Sequence, residues 1–318
     1  MPKPKRQEHE DHTRIRNRLR EFKPNITESS LDSYMTNLIK FEKILKEPLS
    51  PELFTENPEK IKATFEAEGY TQATLKNKFA TVINYLRMYD EPYAKYTDFC
   101  DIITGKLSNV HATMEKSDKE ADNWLTKQQL IDYLEKLKVD LPKVPRSYGD
   151  LHRWQKYITL LFHINYPLRN ELADGVITTN PDTSDPLKNY FIVNPKKKTV
   201  KASIQNYKTK KTYNTIELNL IPSVANEFIK YYKFLDTYKK AEDINNDWLL
   251  ISKDGQKLTR NDYTRFVQSI FSFTNKNIST TMIRKIIVSD LYDVKKMKEL
   301  SSIMGHSISQ SVSTYAKM

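Results

Sequence analysis

The sequence predicts a mainly α-helical protein with a small antiparallel β-sheet, an α+β chain in which a helical domain precedes a mixed one. Three observations carry this. Apolar residues recur at three- and four-residue spacing over most of the chain, the pattern of helices buried along one face. Only 6 of the 318 residues are glycine, which leans the composition towards helix. Strand-like segments are confined to residues 190–251, beyond a polar stretch at 104–123 that divides the chain.

Residues 1–23 mix Arg and Lys with Glu, Asp and His and hold few apolar groups. They read as a basic N-terminal arm, either frayed or helical and solvated, or laid on a polyanion. From Thr27 the pattern turns helical, with Leu31, Tyr34, Met35, Leu38, Phe41 and Leu45 on one face. Pro48 and Pro51 break it. Residues 58–68 form a short helix with Pro58 in its first turn. Residues 71–89 form a stronger one, with Leu75, Phe79, Val82, Ile83 and Leu86 inward. Together these give a helical domain over 24–105, followed by a polar linker over 106–124.

The second domain, 125–318, opens with a helix over 126–137 capped by Thr126. Another runs over 148–166, apolar at Trp154, Ile158, Leu161 and Phe162. Residues 190–193 form a short strand. Residues 199–207 and 213–220 alternate as a hairpin joined by a lysine-rich turn. A helix over 224–238, a short strand over 248–251 and a helix over 259–273 follow. Three helical pieces, 280–292, 295–304 and 308–316, close the chain.

The net charge of +11 favours polyanionic partners, because neutralising phosphates releases condensed counterions. One cysteine, Cys100, excludes a disulfide within the chain and suits an intracellular setting, cytoplasm or nucleus. No run of 18 apolar residues occurs, so no membrane span is expected. The first twenty residues lack the apolar core of a secretory signal. There is no GxxxxGK[ST] phosphate loop, Gly-rich dinucleotide turn, zinc-spaced Cys/His cluster or HExxH helix, so neither a metal nor a nucleotide cofactor is expected.

What remains is a scattered set of basic residues and one late tyrosine. Tyr166-Pro-Leu-Arg169-Asn-Glu171-Leu172 follows a long apolar helix. Asn206-Tyr-Lys208-Thr-Lys210-Lys211 lies at the hairpin turn. Thr281-Met-Ile-Arg284 lies on a helix, and Met304-Gly-His306-Ser precedes Tyr315. Singly, each has a plain structural reading: salt-bridge arginines, a solvated lysine edge, a capping histidine, one tyrosine among 19.

In this order and spacing they resemble the catalytic domain of the tyrosine recombinase (phage integrase) family. That family carries an Arg near a helix end followed by Glu-Leu, a hairpin Lys, a His-x-x-Arg helix, a Leu-Gly-His motif and a Tyr about nine residues on. The resemblance covers about 125–318, and is architectural only over 24–105. It implies that Arg169, Lys208, Arg284, His306 and Tyr315 are catalytic, with Lys210 and Lys211 as competitors for the lysine role. Thr281 stands where the family has His, either as a plain helix residue or as a hydrogen-bond donor to phosphate. Glu171 follows Arg169 by two residues where the family has three, Met304 replaces Leu, and three residues follow Tyr315.

The implied activity is site-specific cleavage and rejoining of DNA through a covalent 3′-phosphotyrosine, without metal or ATP. The source would be a virus or mobile element, and the acting unit a homo-oligomer, a tetramer on paired DNA sites. Two alternatives stand beside it: a type IB topoisomerase-like enzyme and a catalytically inactive DNA-binding relative. DNA contacts are expected from Lys210, Lys211 and Thr281 and, on the 71–89 helix, from Lys76, Lys78 and Arg87. From Lys188 to Thr212 there are eight lysines and no acid, which places this segment near phosphates.

Overall fold

The computed structural model describes residues 5–112, 115–180, 182–290 and 301–305. The chain divides into two compact units, Met1–Thr113 and Met114–Met318.

The first unit is all helical: α1 (Lys5–Phe22), α2 (Glu28–Leu45), α3 (Pro51–Thr55), α4 (Pro58–Ala67), α5 (Gln72–Arg87) and α6 (Ala94–Ala112). Thr27, Ser50, Asn57 and Thr71 cap α2 to α5 with side-chain oxygens, each such cap contributing about 1 kcal/mol. The core is aromatic: Phe41 stacks on Phe65 at 4.6 Å, and Phe54 meets Tyr85 edge-on at 5.6 Å.

Two expectations are corrected here. Residues 5–22, expected as an arm either frayed or helical and solvated, do form helix α1, but it is docked and buries Ile15 and Leu19 in this core. Arg16 pairs with Glu28 and Asp32, and Arg20 with Glu28. Two of its arginines are thus matched by acids of α2, and Ile15 and Leu19, four apart, dock it with Phe22 packed alongside. Residues 106–112, expected as linker, continue α6, whose Tyr96, Phe99, Cys100 and Ile103 are buried. The apolar half of that helix carries its polar half.

The second unit is built around α9 (Tyr148–Asn165). Against it lie α8 (Lys127–Val139), α11 (Pro222–Ala241), α12 (Arg260–Ile270) and α13 (Thr280–Asp290), and the short α7 (Asp118–Asp122) precedes them in the chain. Glu120 of α7 pairs with Lys285 of α13, so part of the segment expected as linker belongs to this unit. The sheet has four strands in the order β1 (Gly175–Thr178), β2 (Asn189–Asn194), β3 (Thr199–Ile204), β4 (Ile216–Asn219). β2, β3 and β4 form an antiparallel meander, and β1 adds a parallel pairing to β2, so the sheet is mixed. Phe191, Val193, Val200, Ala202 and Ile204 belong to the same buried core as α9 and α11.

The hairpin differs from expectation. β3 ends at Ile204 instead of reaching residue 207, and a short helix, α10 (Lys210–Tyr213), occupies the turn. Residues 248–251, expected as a strand, make only isolated bridges, Val176 to Trp248 and Ile251 to Lys257. β1 escaped the sequence reading because four residues hold too little alternation to register. The pieces expected over 295–300 and 308–316 lie outside the described residues, while residues 301–304 are helical.

Candidate active site

α9 stops at Asn165 because Pro167 disfavours helix in the residue before it. The backbone then turns through Leu168, which is buried, and presents Arg169 half-exposed. Asn170 fixes this turn from both sides. Its Nδ2 donates to Thr264 Oγ1 on α12 at 2.9 Å, and its Oδ1 accepts from Thr280 Oγ1 on α13 at 2.8 Å. The start of α13 is therefore latched to the Arg169 turn. One turn along α13, Arg284 points inward and is 1% exposed.

Two residues after Arg169 comes Glu171, buried in the 3-10 turn Glu171–Asp174. Burial pushes its carboxyl above the usual range, opposed by a backbone N–H and by the fields of Arg284, Arg169 and Arg260. Three arginines from separate segments, Arg284, Arg169 and Arg260, thus act electrostatically on one buried carboxyl group. Behind them, His163 Nε2 and Tyr263 Oη share a 2.5 Å hydrogen bond. Burial, aided by the Arg284 charge, pushes His163 down to about 3, so it is neutral near pH 7. Burial pushes the Tyr263 phenol up, as does Glu171.

The lysine-bearing loop leaves the sheet after Ile204. Tyr207 closes it by donating its hydroxyl to Asn214 O at 2.6 Å. Thr209 donates Oγ1 to the carbonyl of Gly305 at 2.9 Å. Lys208 lies between these two residues and is exposed; Lys210 is half-buried and Lys211 exposed. Gly305 has φ +62°, and a Cβ there would stand 2.8 Å from the Tyr207 ring. Only glycine fits both the left-handed backbone and the close approach. The loop of Lys208 and the residue preceding His306 are in contact.

Sequence reasoning missed a second ionic cluster beside this loop. Asp174 accepts from Arg260 Nε and Nη2 at 3.0 and 2.9 Å and from Lys257 Nζ at 3.1 Å. Asn206 Nδ2 also reaches Asp174, at 3.2 Å, and Arg260 Nη2 reaches Asn206 O at 3.2 Å. Nothing in the order of these residues signals the cluster, because it is assembled from three separate segments.

Of the residues named from sequence, Arg169 and Arg284 lie on a turn and a helix that Asn170 holds together, and Lys208, Lys210 and Lys211 share one loop. Thr281 is exposed on the first turn of α13, while its neighbour Thr280 makes the bond to Asn170. His306 and Tyr315 lie outside the described residues. Lys76, Lys78 and Arg87 belong to the first unit. Lys76 is half-buried, and Arg87 is exposed with its guanidinium 5.7 Å from the Phe22 and Tyr93 rings. Lys78 is corrected: it is 3% exposed, its ammonium lies 4.4 Å from the Tyr70 ring and 5.1 Å from that of Phe41, and burial pushes its pKa down. It is a core residue whose position on α5 faces away from solvent. Among the described residues no cluster of His, Cys, Asp and Glu is placed to hold a metal, and no helix is long and apolar enough to cross a membrane.

No protein-family model and no curated protein matches this sequence. Solved structures do. The XerH site-specific recombinase bound to palindromic difH substrate, in a post-cleavage complex, matches with a TM-score of 0.57 at 17% identity, over 90% of this chain and 76% of that one. XerH bound to difH substrate in a pre-cleavage complex matches with a TM-score of 0.48 at 15% identity, over 94% and 90% of the two chains. The XerA recombinase matches with a TM-score of 0.43 at 12% identity, over 96% and 94%. At 0.57 the likeness establishes the architecture: the chain has the fold of the tyrosine recombinases.

Proposed function

We propose that this chain, folded as a tyrosine recombinase, cleaves and rejoins DNA at specific sites through a phosphotyrosine intermediate. The observation that carries the reading is that Asn170 latches the Arg169 turn to the start of the Arg284 helix, while Asn189 ties the same turn to the loop of Lys208. XerH, whose fold this chain shares, is a site-specific recombinase bound to its DNA substrate.

The chemistry fits these residue types. Attack on a phosphodiester builds charge on the non-bridging oxygens, and two permanently charged, planar guanidinium groups stabilise it from fixed positions. Arg284 is held by its burial and Arg169 by the Asn170 latch, so neither must reorganise during reaction. Tyr315 attacks phosphorus as its phenolate, the phenolic proton passing to solvent water; a phenol's ordinary pKa is near 10, so cationic neighbours are needed to hold that anion at neutral pH. The P–O bond to the 5′-oxygen breaks, and Lys208 gives that oxygen its proton. His306 is assigned to the same pocket as a hydrogen-bond partner of the phosphate. The tyrosyl ester stores the energy of the broken bond, so rejoining by a 5′-hydroxyl needs no ATP. Lys210, Lys211 and Thr281 would contact flanking phosphates, as would Lys76 and Arg87 of the first unit. Recombination requires a homo-oligomer on paired sites.

The experiment is a covalent capture. The full chain is mixed with a library of nicked duplexes of randomised sequence, so that cleavage near the nick releases a short fragment and traps the adduct. Sequencing the trapped DNA should yield a preferred site, and mass spectrometry should place the phosphate on Tyr315. Tyr315→Phe should form no adduct. DNA binding without any adduct would favour the inactive DNA-binding reading. Adducts with no sequence preference, together with relaxation of supercoiled plasmid, would favour the topoisomerase-like one.

A further inference from the structure

We propose that Asn189 is the positioning residue that sets the Lys208 loop against the Arg169 turn, so that proton delivery to the leaving group depends on it. This rests on the reading of Lys208 as the group that protonates the 5′-oxygen.

Asn189 opens β2 and is fully buried, at 0% exposure. Its carboxamide makes four hydrogen bonds. Nδ2 donates to Glu171 O at 2.9 Å and to Asn206 O at 3.3 Å. Oδ1 accepts from the backbone N–H of Gln205 at 2.9 Å and of Asn206 at 2.7 Å. Two partners are carbonyls and two are N–H groups, so only one orientation of the amide satisfies them all.

One side chain therefore bridges two segments. Glu171 lies two residues after Arg169, in the turn that Asn170 latches to the start of α13. Asn206 lies two residues before Lys208. The β2–β3 ladder pairs Tyr190 with Ser203; one step further the side chain of Asn189 takes the amides of Gln205 and Asn206. That substitution of side chain for ladder turns the backbone out of the sheet. It explains why β3 ends at Ile204 and why the loop returns over the Arg169 turn. From the other side, Asn206 Nδ2 bonds Leu187 O at 2.7 Å and Asp174 at 3.2 Å. Residue 206 is clamped, and the exposed Lys208 side chain pivots from a fixed base.

A polar residue buried here carries a cost that an apolar strand residue would avoid. Removing it leaves the Gln205 and Asn206 amides and the Glu171 carbonyl unpaired in the interior. A purely structural role and a positioning role both predict that loss; they differ in which chemical step suffers.

The test uses the duplex recovered from covalent capture, prepared with its ordinary scissile phosphodiester and again with sulfur replacing the 5′-bridging oxygen. A thiol, with a pKa of about 8.5, leaves without being protonated, so a defect confined to proton delivery disappears on the sulfur substrate. Lys208→Ala should slow cleavage of the oxygen substrate by about 10²–10⁴-fold and recover on sulfur. Asn189→Ala should be slowed at least about tenfold on oxygen, return to within about threefold of the parent on sulfur, and bind the duplex as the parent does. Asn206→Ala leaves the core and Asn189 in place while loosening the same clamp. It should show a smaller defect with the same recovery, and it carries the test if Asn189→Ala does not fold. Equal slowing on both substrates, or no slowing on either, overturns the positioning role. Failure of Lys208→Ala to recover overturns the lysine assignment and the inference with it. Absence of any adduct with the parent protein is a separate outcome, which sinks the recombinase reading itself.

Discussion

Thr209 donates its hydroxyl to the carbonyl of Gly305 at 2.9 Å, joining the lysine loop to the residue that precedes His306. Two motifs separated by nearly a hundred residues of sequence are held by this contact and by the glycine's approach to the Tyr207 ring. Gly305→Ala should therefore harm activity through geometry. The left-handed backbone alone costs an alanine about 1 kcal/mol, and a Cβ 2.8 Å from the Tyr207 ring forces the loop or the 301–305 segment to move. Thermal unfolding should show a modest loss, and covalent-adduct formation a fall of at least about tenfold. Thr209→Val should lower adduct formation while leaving the unfolding midpoint nearly unchanged. Full activity in both variants would show that the contact does not organise the site.

Arg169 and Arg284 should separate on stability. Arg284 is 1% exposed and faces the buried Glu171, whereas Arg169 is half-exposed. Arg284→Ala leaves a cavity where a fully buried side chain stood and should unfold clearly below the parent; Arg169→Ala should unfold close to the parent. Adding Glu171→Gln to Arg284→Ala should restore part of the stability and none of the cleavage. Urea unfolding of the four proteins measures this. Equal stability of the two alanine variants would contradict the burial difference.

Much of this was legible in sequence, for reasons that particular residues make plain. Helices α2, α5, α8 and α9 announce themselves because their apolar residues recur on one face and Thr27, Thr71, Thr126 and Ser147 cap them. That the Arg169 turn and the Arg284 helix are joined could be anticipated only through a motif order, since no local pattern says that two such segments will meet. α1 was misread because charge dominated its composition, although Ile15 and Leu19 sit four apart. Lys78 was misread because a lysine on an amphipathic helix defaults to the solvent face, while the Tyr70 and Phe41 rings give its ammonium a favourable buried seat. Asn189 carries no signal at all: an Asn at the start of a strand is ordinary, and its importance arises from four partners brought together only by folding.

The His163–Tyr263 pair predicts an acid limit to stability. His163 falls from an ordinary 6.5 to about 3 on folding, so between those values the unfolded chain binds a proton that the folded one refuses. The contribution is fully present above pH 6.5 and is lost as pH falls towards 3, with a slope of up to about 1.4 kcal/mol per pH unit. Glu171 works in the opposite sense, since its folded pKa is raised and the folded state holds its proton more readily. The histidine contribution must therefore be isolated by difference. Tyr263→Phe keeps the titration, while His163→Phe with Tyr263→Phe removes it and replaces both partners with apolar groups. Between pH 7 and pH 5 the urea midpoint of the single variant should fall more steeply than that of the double variant, so the difference between them shifts in favour of the double variant as pH falls. Parallel lines would show that His163 does not titrate differently in the two states.

The same burial arguments sort the basic residues by their effect on DNA affinity. Lys196, Lys197 and Lys198 are exposed at the β2–β3 turn, whereas Lys188 and Lys201 of the same segment pair with Asp185 and Glu217. If the unpaired lysines meet phosphates, the salt dependence of binding should report them individually. Each contact removed lowers the slope of log K against log salt by roughly 0.9. Lys196→Gln, Lys197→Gln and Lys198→Gln together should flatten that slope and weaken binding of any duplex alike, because phosphate contacts carry no sequence information. Lys78→Met should do neither: its ammonium is buried over two rings, and a methionine fills nearly the same volume without a charge to desolvate. Fluorescence anisotropy at several salt concentrations separates the cases. A reduced slope in Lys78→Met would mean that α5 exposes this residue on binding, and an unchanged slope in the triple variant would remove the β2–β3 turn from the DNA-contacting surface.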